Sequence, residues 1–298
     1  MSKYYKKWFA PLVLPAVILF LFVILIPFIM GVVYSFAGWK GTYFAGGENV
    51  FQAWVGFENY ITAINNPKFQ AAFIYTIKFT VIAVISVNVV AFGLALMITN
   101  ISKGAGIFRT IFFLPNLLGG LALGFIWQFI FQIIFSEILF GEGGVISIPF
   151  LTNMTQNNTK ALFALAMLVT WQMAGYMMII YINGLNNIPG DLYEAAQIDG
   201  AGAFQRFRVI TLPMLMPAFT IVFFMTLANS FKLLDANIAL TDGDFGTRML
   251  AMQILRTVKE TTPPDYGQAQ AQAVIFFVLI ATVTLIQVSI TKKREVEM

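Results

Sequence analysis

The sequence predicts an all-α integral membrane protein: a bundle of six transmembrane helices with both termini on the cytoplasmic side. Three observations predict it. The 298 residues are 59% hydrophobic and only 11% charged, with 31 Phe, whereas a soluble domain carries about 25% charged residues. Six apolar stretches approach or exceed the roughly 20 residues a helix needs to cross a bilayer. Prolines and glycines fall inside several of them. Membrane helices tolerate these residues when neighbouring helices cover the freed backbone groups, so the stretches belong to a packed bundle and not to isolated anchors.

The first stretch covers residues 11–36. Lys3, Lys6 and Lys7 precede it, as in a secretory signal. The run is too long for one, however, and no small-residue cleavage site follows, so a retained span is expected. Pro27 is expected to kink it. Residues 37–71 form an outer segment rich in Gly and aromatic residues, among them Trp39, Trp54, Phe57 and Tyr60. At a membrane interface such residues are ordinarily belt anchors. The second span is placed at 72–99, and the third at 110–135 with Pro115 and Gly119–Gly120 near its start. Residues 136–160 lie outside and carry TNMTQNNTK, with N-x-T triplets at Asn153 and Asn157; such triplets arise often by chance. The fourth span is placed at 161–183, the fifth at 213–231 with Pro217 inside it, and the sixth at 269–291. Between the last two, residues 235–268 make an outer loop, whose Gly, Asp and Pro punctuation suggests turns around a short helix near 248–259. Lys232 and Asp235 are expected on one helix face, placed to pair.

Orientation follows from Lys and Arg near span ends. The side holding the termini has ten: Lys3, Lys6, Lys7, Lys103, Arg109, Arg206, Arg208, Lys292, Lys293 and Arg294. The other side has six, in longer loops: Lys40, Lys68, Lys160, Arg248, Arg256 and Lys259. Short loops weigh more, so the termini are assigned to the cytoplasm. The net charge of +4 is read as this topology signal and not as a nucleic-acid surface.

Much chemistry is excluded. The chain has no Cys and no His, which removes disulfides, the commonest transition-metal ligands and the usual acid–base catalyst. It contains no GxxxxGK[ST] nucleotide loop and no HExxH. No catalytic or metal-ligating residue is assigned, and the chain alone is not expected to be an enzyme.

One soluble-looking element stands between the fourth and fifth spans: the cytoplasmic loop 190–212, containing EAAQIDGAGAFQRFRVITLP. Pro189 and Gly190 supply a helix start, and Asp191 to Glu194 has capping-box spacing. Residues 192–198 make about two turns, Asp199–Gly200 is a turn pair, 203–210 forms a second short helix, and Leu212–Pro213 closes the loop. A helix this short is marginal alone in water, where about 12–15 residues are needed. It must dock. Leu192, Tyr193, Ala195, Ala196 and Ile198 offer apolar and small surfaces and Glu194 an anionic contact, which suits a groove in a soluble partner. Docking on lipid headgroups is the alternative, against which the segment lacks a Lys/Arg-rich face near Glu194.

Glu194-Ala195-Ala196, then Gly200, Ile210, Leu212 and Pro213, resemble the cytoplasmic signature of permease subunits in bacterial binding-protein-dependent ABC importers. The longer segment is especially similar to the carbohydrate-uptake, maltose-permease-like branch. VGFENY at 55–60, GIFRTIFFLPNLLGGLALGFIWQFIF at 106–131 and LTDGDFGT at 240–247 resemble further motifs of that branch, so the likeness covers most of the chain. It departs at Asp242-Gly243-Asp244-Phe245, where the branch has Gly-Gly-Pro. The resemblance implies a single six-span permease domain over 1–298 in a bacterial cytoplasmic (inner) membrane, importing a sugar or oligosaccharide by alternating access. It implies that Glu194, Ala195, Ala196 and Gly200 contact a separate ATPase, which binds ATP and Mg while this chain binds no cofactor. The implied partners are a second permease, expected to be a paralogue, two ATPase subunits, an extracytoplasmic sugar-binding protein and membrane lipid, with no nucleic acid.

Sugars are neutral and rich in hydroxyls, so amides and aromatic faces suit their path better than fixed charges. Asn88, Gln128, Gln132, Gln172, Asn183 and Asn229 are the amide candidates, with Trp127, Trp171, Tyr176 and Phe231 beside them. Intramembrane amides also bond across helices for stability alone. The rival reading is an ion-coupled secondary transporter. Such proteins commonly place acidic or histidine residues within spans, whereas here the acids fall in loops or at span ends.

Overall fold

A computed structural model describes residues 2–101 and 103–295, with side chains from Trp8 onward except Ala10. The side chains of Lys3, Lys6 and Lys7 lie outside the described residues. In chain order the helices are α1 (Ser2–Phe20), α2 (Ile26–Tyr34), α3 (Glu58–Asn65), α4 (Pro67–Thr99), α5 (Ala105–Phe113), α6 (Gly120–Phe129) and α7 (Asn158–Asn186). There follow α8 (Gly190–Ile198), α9 (Ala203–Arg206), α10 (Leu212–Met214), α11 (Met216–Phe231), α12 (Asp235–Thr241), α13 (Leu250–Glu260) and α14 (Tyr266–Lys292). Among the described residues, extended pairing is limited to three isolated bridges between Ala37 and Trp54.

Among the described residues, five helices are long and apolar enough to cross a membrane: Pro11–Tyr34, Pro67–Thr99, Gly120–Leu139, Asn158–Asn186 and Tyr266–Lys292. A sixth crossing is made if Ala203–Met214 and Met216–Phe231, bent by 63°, count as one span. Three prolines leave distinct marks. Pro27 is preceded by a π turn at Leu21–Leu25. Its ring would meet the carbonyl of Val23 four residues back, and widening that turn relieves the clash without ending the helix. The third span differs from expectation. Pro115 tightens Leu114–Leu117 into a 3₁₀ turn, and Leu118 and Gly119 are extended (ψ 134° and 144°). The expected span 110–135 is therefore two pieces, a short apolar helix ending before Leu118 and a crossing that starts at Gly120. The fifth span differs too. Helix continues from Phe207 through a π turn into α10, breaks at Leu215 and resumes as α11. Leu212–Pro213 thus does not close the loop; Pro217 deprives the Pro213 carbonyl of its donor, and the bend falls there.

The chain forms two compact units, Met1–Phe69 with Ile254–Val278, and Gln70–Gln253 with Leu279–Met298. In the first, the aromatic residues of the expected outer segment stack on one another. Phe36 lies against Trp54 (ring centroids 5.2 Å), Phe57 (5.3 Å) and Tyr60 (5.1 Å). The Ser35 and Tyr60 hydroxyls share a 2.5 Å hydrogen bond, and Lys40 pairs with Asp265 at 2.5 Å.

The second unit is organised around α7, whose Leu165, Leu168, Met177 and Tyr181 are fully buried. Its N-terminus is capped by Asn157, whose Oδ1 accepts from the Thr159 and Lys160 amides at 2.9 and 3.2 Å. That gives one N-x-T asparagine a structural role. Two close approaches fix the packing. A Cβ at Gly124 of α6 would stand 2.5 Å from the Ala239 Cβ of α12, and a Cβ at Gly175 of α7 would stand 1.8 Å from the Phe112 carbonyl oxygen of α5. The start of the expected outer loop, 235–241, is consequently a helix buried against α6.

Deep in this unit the Tyr181 hydroxyl donates to Asn88 Oδ1 at 2.6 Å, while Asn88 Nδ2 donates to the Val84 carbonyl at 2.7 Å. Interhelical hydrogen bonds inside membranes are worth about 0.6 kcal/mol and up to about 1.7. Tyr181→Phe is therefore expected to lower the apparent melting midpoint of the purified protein by a few degrees, about 2–4 °C per kcal/mol. An unchanged midpoint would show the bond to be dispensable.

Candidate functional site

The loop after α7 is a helix–turn–helix. No side chain caps α8: its N-cap is Pro189, and Asp191 lies within the first turn, so the expected Asp191–Glu194 capping box is not formed. With Pro189 and Gly190 leading the chain in, Asp191 is already helical and can favour only the helix dipole. The C-terminus is better defined. The Gly200 amide donates to the Gln197 carbonyl at 3.0 Å and the Ala201 amide to the Ala196 carbonyl at 2.9 Å, with Gly200 at φ +78°. This is a Schellman motif, which needs a left-handed residue where glycine stands. The hydroxyls of Tyr193 and Thr211 share a 2.8 Å hydrogen bond that ties the two arms together. Glu194 and Ala195 are exposed and Ala196 is half-buried. Several large apolar side chains are left in the open, Ile198 at 86% and Phe204 at 76% exposure the most, with Val209 and Leu192 exposed as well.

The same unit contains two polar cavities. The first, about 420 Å³, is lined by Asn116, Gln172, Tyr176, Asn229, Lys232 and Asp235 among others. It brings together three of the expected path residues, Gln172, Tyr176 and Asn229. Gln172 Nε2 donates to the Leu118 carbonyl at 3.2 Å, and Asn229 Nδ2 to the Met225 carbonyl at 2.9 Å; each leaves its carbonyl oxygen for another partner. The second cavity, about 560 Å³, holds Gln128 and Gln132 with Thr155, Gln156, Asp242, Asp244 and Phe245. Asn88 lines neither cavity, being engaged by Tyr181. Asn183 is exposed, Trp171 packs edge-on against buried Trp127 at 5.8 Å, and Phe231 is buried in the core.

The expected Lys232–Asp235 ion pair is absent among the described residues. Lys232 ends α11, Leu234 leaves the helical region (φ −126°), and Asp235 begins α12, so the two never share a helix face. Both line the first cavity instead. Asn116 and Gln156 are not singled out by the sequence: Asn116 falls inside the expected third span, where continuous hydropathy hides the break, and Gln156 lies in the connection before α7, whose path the hydropathy pattern does not trace. Among the described residues, no group of three or more acidic side chains is arranged to hold a metal ion.

A multi-helix membrane bundle with a polar cavity amid its spans and an exposed helix–turn–helix loop is the architecture of a transport permease. The chain belongs to the family of binding-protein-dependent transport system inner membrane components, which it matches over residues 94–296. It is 40% identical, over 100% of its length and 99% of the relative's, to the probable starch degradation products transport system permease protein AmyD of Thermoanaerobacterium thermosulfurigenes. It is 31% identical, over 99% and 98%, to the multiple sugar-binding transport system permease protein MsmF of Streptococcus mutans. Its fold matches a chain in the crystal structure of a bacterial ABC transporter involved in the import of alginate, with a TM-score of 0.75, 21% identity and 98% coverage of both chains. The family match spans the helix–turn–helix loop and both cavities.

Proposed function

We infer that this permease moves a saccharide into a bacterial cell across the cytoplasmic membrane, driven by ATP hydrolysis on a separate ATPase. The observation that carries the coupling is the helix–turn–helix. It ends in a glycine-dependent turn and exposes Ile198 and Phe204, apolar surface that a soluble partner would cover. In this reading the loop 190–212 and both termini are cytoplasmic, and Glu194, Ala195, Ala196 and Gly200 sit at the ATPase contact. ATP and Mg act on that partner. A second permease subunit completes the pathway, and an extracytoplasmic binding protein delivers the sugar to residues around 235–268. The saccharide assignment is supported by the names of the two relatives and by the composition of the first cavity, where Gln172, Asn229, Asn116 and Tyr176 offer neutral donors and acceptors. The relative named for starch degradation products makes malto-oligosaccharides the first probes.

The test is co-purification of the chain with its ATPase and measurement of ATP hydrolysis when binding protein loaded with maltose or maltotetraose is added. Stimulation is expected; its absence with every saccharide tried would end the reading. Asn229→Ala, which removes one ligand hydrogen bond worth about 1–1.5 kcal/mol, should reduce stimulated hydrolysis about tenfold while the complex remains assembled.

A further inference from the structure

We propose that the second cavity is a separate saccharide-contact site, in which Phe245 is the stacking platform and Gln128, Gln132 and Gln156 bind hydroxyls. It rests on the saccharide reading above and adds a selectivity for longer ligands.

The walls come from three places. The helix α6 and its π-helical continuation (Ile130–Leu139) supply Gln128 and Gln132, the connection before α7 supplies Gln156, and the 3₁₀ turn after α12 (Asp244–Gly246) supplies Phe245. Among the described residues these three carboxamides make no hydrogen bond within the chain, unlike Asn88, Gln172 and Asn229. Each offers a donor and an acceptor, the pairing that vicinal hydroxyls require.

Phe245 is 60% exposed and sits at φ +55°, a region that bulky residues rarely adopt. Strain of this kind persists only where the surroundings over-determine it. Here they do. Asn237 Nδ2 donates to the Thr247 carbonyl at 3.0 Å, and the Thr247 hydroxyl donates to the Asp244 carbonyl at 2.7 Å. Asn158 Nδ2 donates to the Gly246 carbonyl at 2.7 Å. Asn237 and Thr247 are fully buried. This network holds an aromatic ring open beside free amides. A sugar ring presents C–H groups on its face and hydroxyls at its edge, and fits both at once. Asp244 also lines this cavity and is a further acceptor.

Helix α12 lines both cavities, the first with Asp235 and Ala236, the second with Ile238, Ala239 and Thr241. In this proposal a ligand of several sugar units touches both sites along this helix, and a shorter one fills the first alone. Chain length is the property that the second site would read.

The chain has no cysteine, so a single introduced thiol reports occupancy. Gln156→Cys and, separately, Asn229→Cys would be made in the full chain, purified with its partners but without binding protein, and alkylated with a maleimide. Maltotetraose should slow alkylation at both positions, and maltose only at Asn229→Cys. Adding Phe245→Ala to Gln156→Cys should raise the half-protecting maltotetraose concentration about tenfold, whereas Phe245→Tyr, which keeps the ring, should preserve it. Protection at Asn229→Cys alone would overturn the second site and leave the transport reading standing. Protection at Gln156→Cys by sugar-free binding protein and not by maltotetraose would make the cavity a protein-docking surface, which also overturns it. No protection at either position, together with no saccharide-stimulated ATP hydrolysis, would remove the saccharide reading itself.

Discussion

Gly200→Val is expected to abolish stimulated ATP hydrolysis while the permease still folds and inserts. A Cβ at Gly200 would meet nothing within 4 Å, so the substitution creates no clash. The penalty lies in the backbone. At φ +78° an L-residue costs about 1–2 kcal/mol, and a β-branched one lies at the unfavourable end of that range. The left-handed turn itself is closed by the Gly200 and Ala201 amide bonds to Gln197 and Ala196. The cheapest response is to abandon the left-handed turn, which re-aims α9 and moves Phe204 relative to Ile198. A docking surface made of two short arms fails when their angle changes, because neither arm is stable alone. Stimulated hydrolysis should fall more than about tenfold, the equivalent of about 1.4 kcal/mol of lost coupling. Gly200→Asn is the informative control, since Asn visits the left-handed region at small cost and should retain most activity. Normal co-purification and normal stimulation in the valine variant would count decisively against the coupling role.

That turn was legible in the sequence. An Asp-Gly pair after two helical turns specifies where a helix must stop, and local chemistry decides it. The crossings were legible for the same reason: their apolar length is a property of one segment. What the sequence hid depends on two segments at once. Pro115 marks a disturbance, yet hydropathy runs on through Leu117 and Leu118, so one continuous span was the natural reading and the extended Leu118–Gly119 break was not visible. Asp235 looked like the helical neighbour of Lys232 because spacing assumes an unbroken helix; Leu234 breaks it. Among the path candidates, spacing could not separate Asn88, which Tyr181 engages, from Gln172 and Asn229, which share a cavity. All are amides in apolar runs. Only the partner across the bundle distinguishes them.

The same blindness applies to glycines, and it yields the largest expected effect on stability. Gly93 in α4 and Gly175 in α7 are both mid-span glycines. A Cβ at Gly93 would meet nothing within 4 Å, and Gly93→Ala should be neutral or stabilising by up to about 1 kcal/mol through helix propensity. A Cβ at Gly175 would lie 1.8 Å from the Phe112 carbonyl oxygen, 2.2 Å from its carbon and 2.8 Å from the Phe113 nitrogen. These are backbone atoms of α5 and cannot rotate away. Small residues at such crossings let membrane helices pack backbone to backbone, and dispersion and packing are what hold them together where lipid is as apolar as the protein. Gly175→Ala must push α5 from α7, forfeiting close contacts along the crossing at about 1–3 kcal/mol or more. The apparent melting midpoint should drop by about 5 °C or more, measured on the detergent-purified complex. Tyr176, the next residue, lines the first cavity and its ring meets Phe113 of α5 at 6.1 Å, so saccharide stimulation should fall with it. A Gly175→Ala protein as stable as the parent, beside an equally unaffected Gly93→Ala, would mean that α5 does not lie against α7 as described.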